Sequence, residues 1–117
     1  QKGIEITKKG RLAIIAHKAR TKGIGVKWDK KWRVVVFDVP ELSRKDRDFV
    51  RTHLKLLGLK ECQKSVWISP WDVAGEIREF FRLCDRKPEG SVRIMIVEKI
   101  DDDKDLRRLF SMWRWWE

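Results

Sequence analysis

The aspartate in the stretch "KKWRVVVFDVPELSRKDRDFVR" is the first residue whose position suggests chemistry. Asp38 follows the apolar run Val34 to Phe37, and Val39-Pro40 closes what we predict to be a buried strand from Trp32 to Val39. A carboxylate there can mark a functional site. It can equally begin a turn by accepting backbone N–H groups. Because no second acid, base or nucleophile stands beside it, we favour the turn and name no catalytic residue.

The remaining reactive side chains do not form a recognisable site. Cys62 and Cys84 are isolated, without a Cys-x-x-Cys or Cys/His cluster, which favours a reducing cytoplasm over a zinc site. His17 and His53 are also unaccompanied and suit helix surfaces better than metal ligation. Ser65 has no evident base and suits a hairpin turn. We therefore expect no cofactor and lean against an enzyme.

Positive charge is concentrated at the beginning of the chain. The 117 residues carry a net charge of +10. The first 33 residues hold 11 lysines and arginines against two acids, a net of +9, while the remainder is close to neutral. Six of these cations are predicted to contact double-stranded DNA: Lys8, Lys9, Arg11, Lys18, Arg20 and Lys22. The alternative is a solubilising tail, or a disordered arm that binds nothing.

The basic segment has the pattern of an amphipathic helix. Its apolar residues recur at helical spacing: Leu12, Ile15, Ala16 and Ala19. Thr7 is a suitable N-cap and Gly23 a suitable stop. Ile4 and Ile6 alternate with polar neighbours, as on a short strand. A strand, a turn and a helix in this order resemble the end of a winged-helix domain, so we assign residues 1–25 to a winged-helix-like segment.

Residues 26–117 alternate between strands and helices. The order is strand, helix, strand, strand, helix, strand, with a tight hairpin at Gln63-Lys64 and a final strand in "SVRIMIV". Right-handed crossovers then produce a ferredoxin-like split βαβ sandwich, an α+β fold with two helices on one face of an antiparallel sheet. Val92, Ile94 and Ile96 are predicted to share one face of the last strand.

Each of the two helices has a predicted start and an apolar face. Ser43 and Asp46 resemble a capping box, and Gly58 suits the end of that helix. Its inner face is predicted to contain Phe49, Val50, Leu54 and Leu57. Asp72 is the expected cap of the next helix. The apolar stripe of that helix is Val73, Ile77, Phe80, Phe81 and Cys84.

The second face of the sheet has no covering helix in this order of elements. We expect a partner subunit or the tail "RRLFSMWRWWE" to cover it, and the spacing of the tail's apolar residues predicts a C-terminal helix. Clustered aromatic residues usually mark an interface. The predicted homodimer interface comprises Phe110, Trp113, Trp115 and Trp116. We place Trp67 and Trp71 in the core or in an interface rather than stacked on bases.

Three motifs in order carry a resemblance to known families. They are Phe37-Asp38-Val39-Pro40, Gln63 to Trp67 and Ser91 to Ile94. Together they resemble the CRISPR-associated ferredoxin-like family, whose small dimeric subunit takes part in spacer acquisition. The resemblance to the middle domain of phenylacetate-repressor-like (PaaX-like) transcriptional regulators is closer still, because of the "WDKKW" entry at Trp28 to Trp32. It covers about residues 26–98.

The two resemblances imply different functions. A PaaX-like regulator implies a cytoplasmic, homodimeric, DNA-binding repressor without membrane association, in which this module follows a winged helix; the effector ligand and operator are not specified. The CRISPR-associated nucleases imply instead that Asp38 pairs with its mate across a dimer axis to hold Mg²⁺ and cleave RNA or DNA. We favour the regulator. A dimerisation module without any nucleic-acid role is a third interpretation.

Overall fold

The computed structural model describes residues 7–37, 43–84 and 92–110 of the chain. The elements in chain order are α1 (Lys8–Thr21), β1 (Trp32–Phe37), α2 (Arg44–Leu56), β2 (Lys60–Gln63), β3 (Val66–Ser69), α3 (Ala74–Leu83), β4 (Val92–Val97) and α4 (Lys104–Leu109). The four strands form one sheet in the order β2-β3-β1-β4, and every neighbouring pair is antiparallel. This is the predicted ferredoxin-like α+β fold.

Strand β1 lies inside the sheet and is buried on both faces. Val35 and Phe37 point towards the helices, with Val35 opposite Trp67 of β3 in the strand register. Trp32 and Val34 point the other way. The continuous apolar run in this strand is therefore required by its position, since neither face is available to solvent.

The larger core lies between the sheet and helices α1, α2 and α3. Leu54 and Leu57 enter it from the α2 side and Ile77 and Phe80 from α3, all of them fully buried. Helix α1 joins the same core through the apolar stripe predicted for it: Leu12, Ile15, Ala16 and Ala19 are buried. Helix α1 is therefore packed on the ferredoxin-like layers and does not extend freely into solvent.

A second, smaller cluster covers part of the opposite sheet face. Trp28, Trp32 and Leu106 meet there with Val34 and Ile68. The Trp28 and Trp32 rings lie 5.2 Å apart, and the Trp32 indole N–H donates to Asp103 Oδ2 over 3.3 Å. Helix α4 lies where the expected C-terminal helix begins, and it covers one end of this face from within the same chain. The rest of that predicted helix lies outside the described residues.

The predicted helix ends are confirmed with one exception. Thr7 Oγ1 accepts from the Gly10 amide over 3.0 Å, and Ser43 Oγ accepts from the Asp46 amide over 3.1 Å. Gly58, at a φ of +92°, follows the last residues of α2. The cap predicted at Asp72 is wrong, because α3 begins after Val73 without any side-chain cap.

Two residues assigned to inner faces are exposed. Phe49 of α2 is 41% exposed, and its ring centroid lies 4.1 Å from that of the His53 ring, with the two rings tilted by 34°. Ile96 is 56% exposed, although Val92 and Ile94 pack towards the core as predicted. Strand β4 stands at the end of the described sheet, and Ile96 is opposite Arg33 in the register rather than beneath a helix.

A buried arginine joins the start of β1 to the loop that precedes α3. The Arg33 side chain is 5% exposed and forms a bidentate pair with Asp29, at 2.6 and 2.9 Å. The same guanidinium donates to the Pro70 carbonyl over 2.9 Å and to the Lys31 carbonyl over 3.0 Å. The hydrogen bond from Arg33 holds the pKa of Asp29 below its usual value. The charge buried at Arg33 therefore depends on Asp29 for its compensation.

We expect Asp29→Asn to lower the free energy of unfolding by about 2 kcal/mol at pH 7, because the buried guanidinium loses its counter-charge. This is less than the roughly 3–5 kcal/mol for a fully buried pair, since Asp29 is partly in water. Because the folded-state pKa of Asp29 is lowered, its stabilisation is complete above about pH 4 and declines as the pH falls through the folded pKa. The difference from the wild type should therefore narrow in acid.

Urea unfolding at pH 7 and at pH 3 measures this difference. Asp48→Asn, at an exposed position of α2, is the matched control and should leave stability nearly unchanged. An equal loss in both variants, or a difference independent of pH, would contradict the role of the pair.

Candidate nucleic-acid interface

The six cations predicted to bind DNA are exposed and lie on or next to α1. Arg11, Lys18 and Lys22 are spaced i, i+7, i+11 and follow one edge of the buried stripe. Lys9 and Arg20, eleven residues apart, follow the other edge. Because the stripe anchors α1 to the core, these cations are displayed from a fixed helix.

Two of the six cations also attach α1 to its neighbours. The Arg20 guanidinium donates to the Leu56 carbonyl at the end of α2, over 3.2 Å. Lys22 Nζ lies 3.4 Å from Glu76 Oε2 of α3. The positions of these contacts show that one edge of α1 faces α2 and the other faces α3. Part of the charge at Lys22 is therefore neutralised within the chain.

The beginning of α1 combines several sources of positive potential. Its first turn contains Lys8 and Lys9 and no acidic residue. The helix macrodipole is positive at this end, so lysines here oppose rather than complement it. Arg11 lies within the next turn. Exposed cations at the positive end of a helix destabilise the free protein slightly, and a bound anion relieves that repulsion.

The far end of α1 is set by a close contact between a glycine and an indole ring. A Cβ placed on Gly23 would lie 2.4 Å from Cε2 and 2.7 Å from Nε1 of Trp71. Trp71 is half-buried and packs against both hydrophobic clusters. Gly23 was predicted to stop the helix; the structure adds that only glycine leaves room for this ring.

Gly23→Ala should lower the free energy of unfolding by about 1–3 kcal/mol, because the Trp71 ring must move out of a packed position. The control is Gly75→Ala in α3, where the new Cβ meets nothing within 4 Å. That change should be neutral or stabilising by a few tenths of a kcal/mol, since alanine is the better helix former. Thermal unfolding of both variants tests the contact. A Gly23→Ala protein as stable as Gly75→Ala would refute it.

The tryptophans are placed as predicted where the structure describes them. Trp67 is fully buried, with the Arg51 guanidinium 5.9 Å from its ring centroid, so it offers no face to a nucleic-acid base. Phe110, assigned to the dimer interface, is half-buried, and its ring centroid lies 6.1 Å from that of Trp32 and 5.8 Å from Lys60 Nζ. The interface itself is not tested.

The remaining predicted site residues lie outside the described part of the chain. Asp38, the metal ligand of the nuclease interpretation, is one of them, as are Trp113, Trp115 and Trp116. Among the described residues there is no group of three His, Cys, Asp or Glu side chains placed to hold a metal ion. The Asp38 role and the tail interface stay predictions.

Two features of the structure were not predicted from the sequence. The Arg33–Asp29 pair was visible only as an ordinary i, i+4 charge pair, with no signal that the arginine would be buried. Arg78 and Arg82 of α3 lie beside an apolar stripe whose helical pattern is a much stronger sequence signal than theirs. Their i, i+4 spacing was the available clue.

The fold and this surface define a class of protein: a ferredoxin-like domain with a basic helix mounted on its helical layer. The chain matches the family model described as the PaaX protein central Cas2-like domain over residues 25–107, and it belongs to that family. No curated protein and no solved structure is detectably similar to the chain. None of the helices in the described ranges is long and apolar enough to cross a membrane.

Proposed function

We propose that this chain is the dimerising core of a PaaX-like DNA-binding transcriptional repressor and that α1 contacts duplex DNA. The proposal rests on the way in which α1 is attached to the domain. Its apolar stripe is buried in the core of a PaaX-type domain, while its cations remain exposed. A solubilising tail would not need such an attachment.

The physical basis of the proposed contact is electrostatic. Lysine and arginine side chains near DNA release condensed counterions, so affinity falls steeply with salt. A fixed helix loses less conformational entropy on binding than a disordered arm. Contacts of this kind position a protein on the duplex without reading its sequence. Operator choice would then belong to a part of the regulator other than α1, in keeping with the winged helix that the PaaX-like resemblance implies.

Replacing Lys9, Arg11 and Lys18 with glutamine should weaken binding to a short duplex by roughly tenfold or more at 0.1 M salt. The slope of log affinity against log salt should fall by about 2 to 3, since each phosphate contact contributes about 0.9. Glutamine preserves helix propensity, so α1 should remain folded. Fluorescence anisotropy at several salt concentrations measures both quantities.

The control replaces three exposed lysines elsewhere, Lys45, Lys55 and Lys99, and so removes the same charge. It should shift affinity slightly and leave the slope close to that of the wild type. If the control and the α1 variant lose the same slope, the binding is diffuse and α1 has no special role. If the wild-type chain does not bind duplex DNA at all, the proposed function fails.

The proposed homodimer gains support from strand β4. Ile96 is 56% and Met95 44% exposed on the end strand of the described sheet, where apolar side chains favour pairing with another chain.

We expect a dimer at micromolar concentration and a shift towards monomer for Ile96→Lys. Ile24→Lys, in the exposed loop after α1, is the control and should remain dimeric. Analytical ultracentrifugation measures the oligomeric state of the wild type and of both variants. A monomeric wild type would contradict the proposal.

A further inference from the structure

A second positively charged surface lies on the other flank of α3. An open groove of about 700 Å³ runs between this helix and β4, and we call it the α3–β4 groove. Its described lining consists of Arg78, Phe81, Arg82, Cys84, Val92, Arg93 and Ile94. Three of these residues are arginines, all exposed, and none is acidic. Apolar side chains form the rest of the lining.

Glu76 and the two arginines of α3 lie on opposite flanks of the helix. Glu76 faces α1, where it pairs with Lys22. Arg78 and Arg82 follow the opposite flank, one turn apart, and line the groove. Neither glutamate of α3 lines the groove, and Glu79, three residues before Arg82, lies between the two flanks. Within the described residues, no hydrogen bond or ion pair engages the guanidinium groups that line the groove.

The third arginine comes from the end strand of the sheet. Arg93 is opposite Val36 of β1, and it lines the groove at the edge of the sheet, where β1 is the only neighbour of β4 among the described strands. Arg93 alternates with Val92 and Ile94, which face the helices, so it borders the groove from the other side of β4. Arg78 and Arg82 lie one turn apart on α3 and repel each other, and an anion bound between them removes that repulsion.

We propose that the α3–β4 groove binds the phosphate backbone of DNA, as a contact separate from α1. Guanidinium groups match phosphate oxygens in bidentate geometry and are weakly hydrated, so arginine suits this role better than lysine. Sites for small molecules enclose most of the ligand surface. Here all three arginines are exposed around an open groove, which suits a ligand that stays partly in water, as a duplex does.

This inference rests on the proposed function and extends it, because DNA would then contact the domain on both sides of α3. Arg78→Ala/Arg82→Ala in the 117-residue chain should weaken binding to a short random-sequence duplex by about tenfold at 0.1 M salt. It should lower the salt slope by about 2, for two phosphate contacts. Lys45→Ala/Lys55→Ala is the matched control and should change affinity less than twofold.

Arg78→Lys/Arg82→Lys separates a built phosphate site from diffuse charge. The charge is kept, so the salt slope should return close to that of the wild type, while affinity should recover only in part because lysine cannot bind a phosphate bidentately. Thermal unfolding confirms that each variant is folded, and fluorescence anisotropy provides the affinities. Full recovery of affinity by the lysine variant would overturn a specific guanidinium site.

Other outcomes distinguish the groove from the rest of the proposal. If the α1 glutamine variant loses salt slope but Arg78→Ala/Arg82→Ala behaves like its control, the groove is not a DNA contact while the proposed function stands. If the wild type binds no duplex, both fail together. Pyrophosphate that shifts the groove's amide resonances at submillimolar concentration, without any effect of the alanine variant on DNA binding, would show a small-phosphate site and overturn the inference.

Discussion

Burial of β1 on both faces is the constraint from which the rest of the domain follows. A strand with Val35 and Phe37 on one side and Trp32 and Val34 on the other needs two covering layers. Helices α1, α2 and α3 provide the first layer. The second is supplied in part by Trp28 and α4, from segments before and after the sheet. The segment just before β1 and helix α4 therefore both fold back onto β1.

One polar group accompanies this apolar strand into the core. Arg33 leaves β1 on the same side as Val35, at the point where the helix layer gives way to loops. Its two Nη atoms donate to the Asp29 carboxylate and to two carbonyl groups, which replaces the water that they lose, whereas its Nε is buried without a hydrogen-bond partner among the described residues. The result connects the segment after α1 with the loop before α3, beside the Gly23–Trp71 contact. Packing and a charge-paired buried arginine together therefore hold the segment that follows α1.

Helix α1 shows how one short segment can serve two physical purposes. Its apolar residues occupy one stripe, and the cations on either side divide between attachment and display. Arg20 and Lys22 reach α2 and α3, whereas Lys9, Arg11 and Lys18 remain exposed. On α3, the Glu76 carboxylate pairs with Lys22 of this group, whereas Arg78 and Arg82 face away from α1. This arrangement keeps the positive charge at the surface, while part of it is paired with a carboxylate.

The local rules predicted most of the fold, because periodicity and capping act over a few residues. The stripes of α1 and α3, the caps at Thr7 and Ser43 and the hairpin at Ser65, whose φ is +64°, were all readable in this way. Periodicity shows which face is apolar but not how far the neighbouring layer extends. Phe49 and Ile96 have suitable positions in their patterns, yet they lie beyond the covered area and are exposed.

The order of elements, the antiparallel ferredoxin-like class and the concentration of positive charge before residue 34 were determined by the sequence itself. Only the tertiary structure decided which of those charges are paired within the chain, because pairs such as Lys22–Glu76 join residues far apart in the chain. The same holds for the α3–β4 groove, whose arginines come from a helix and from the strand that topology places beside it. Side chains separated in sequence acquire a common electrostatic field only when folding brings them within a few ångströms of each other.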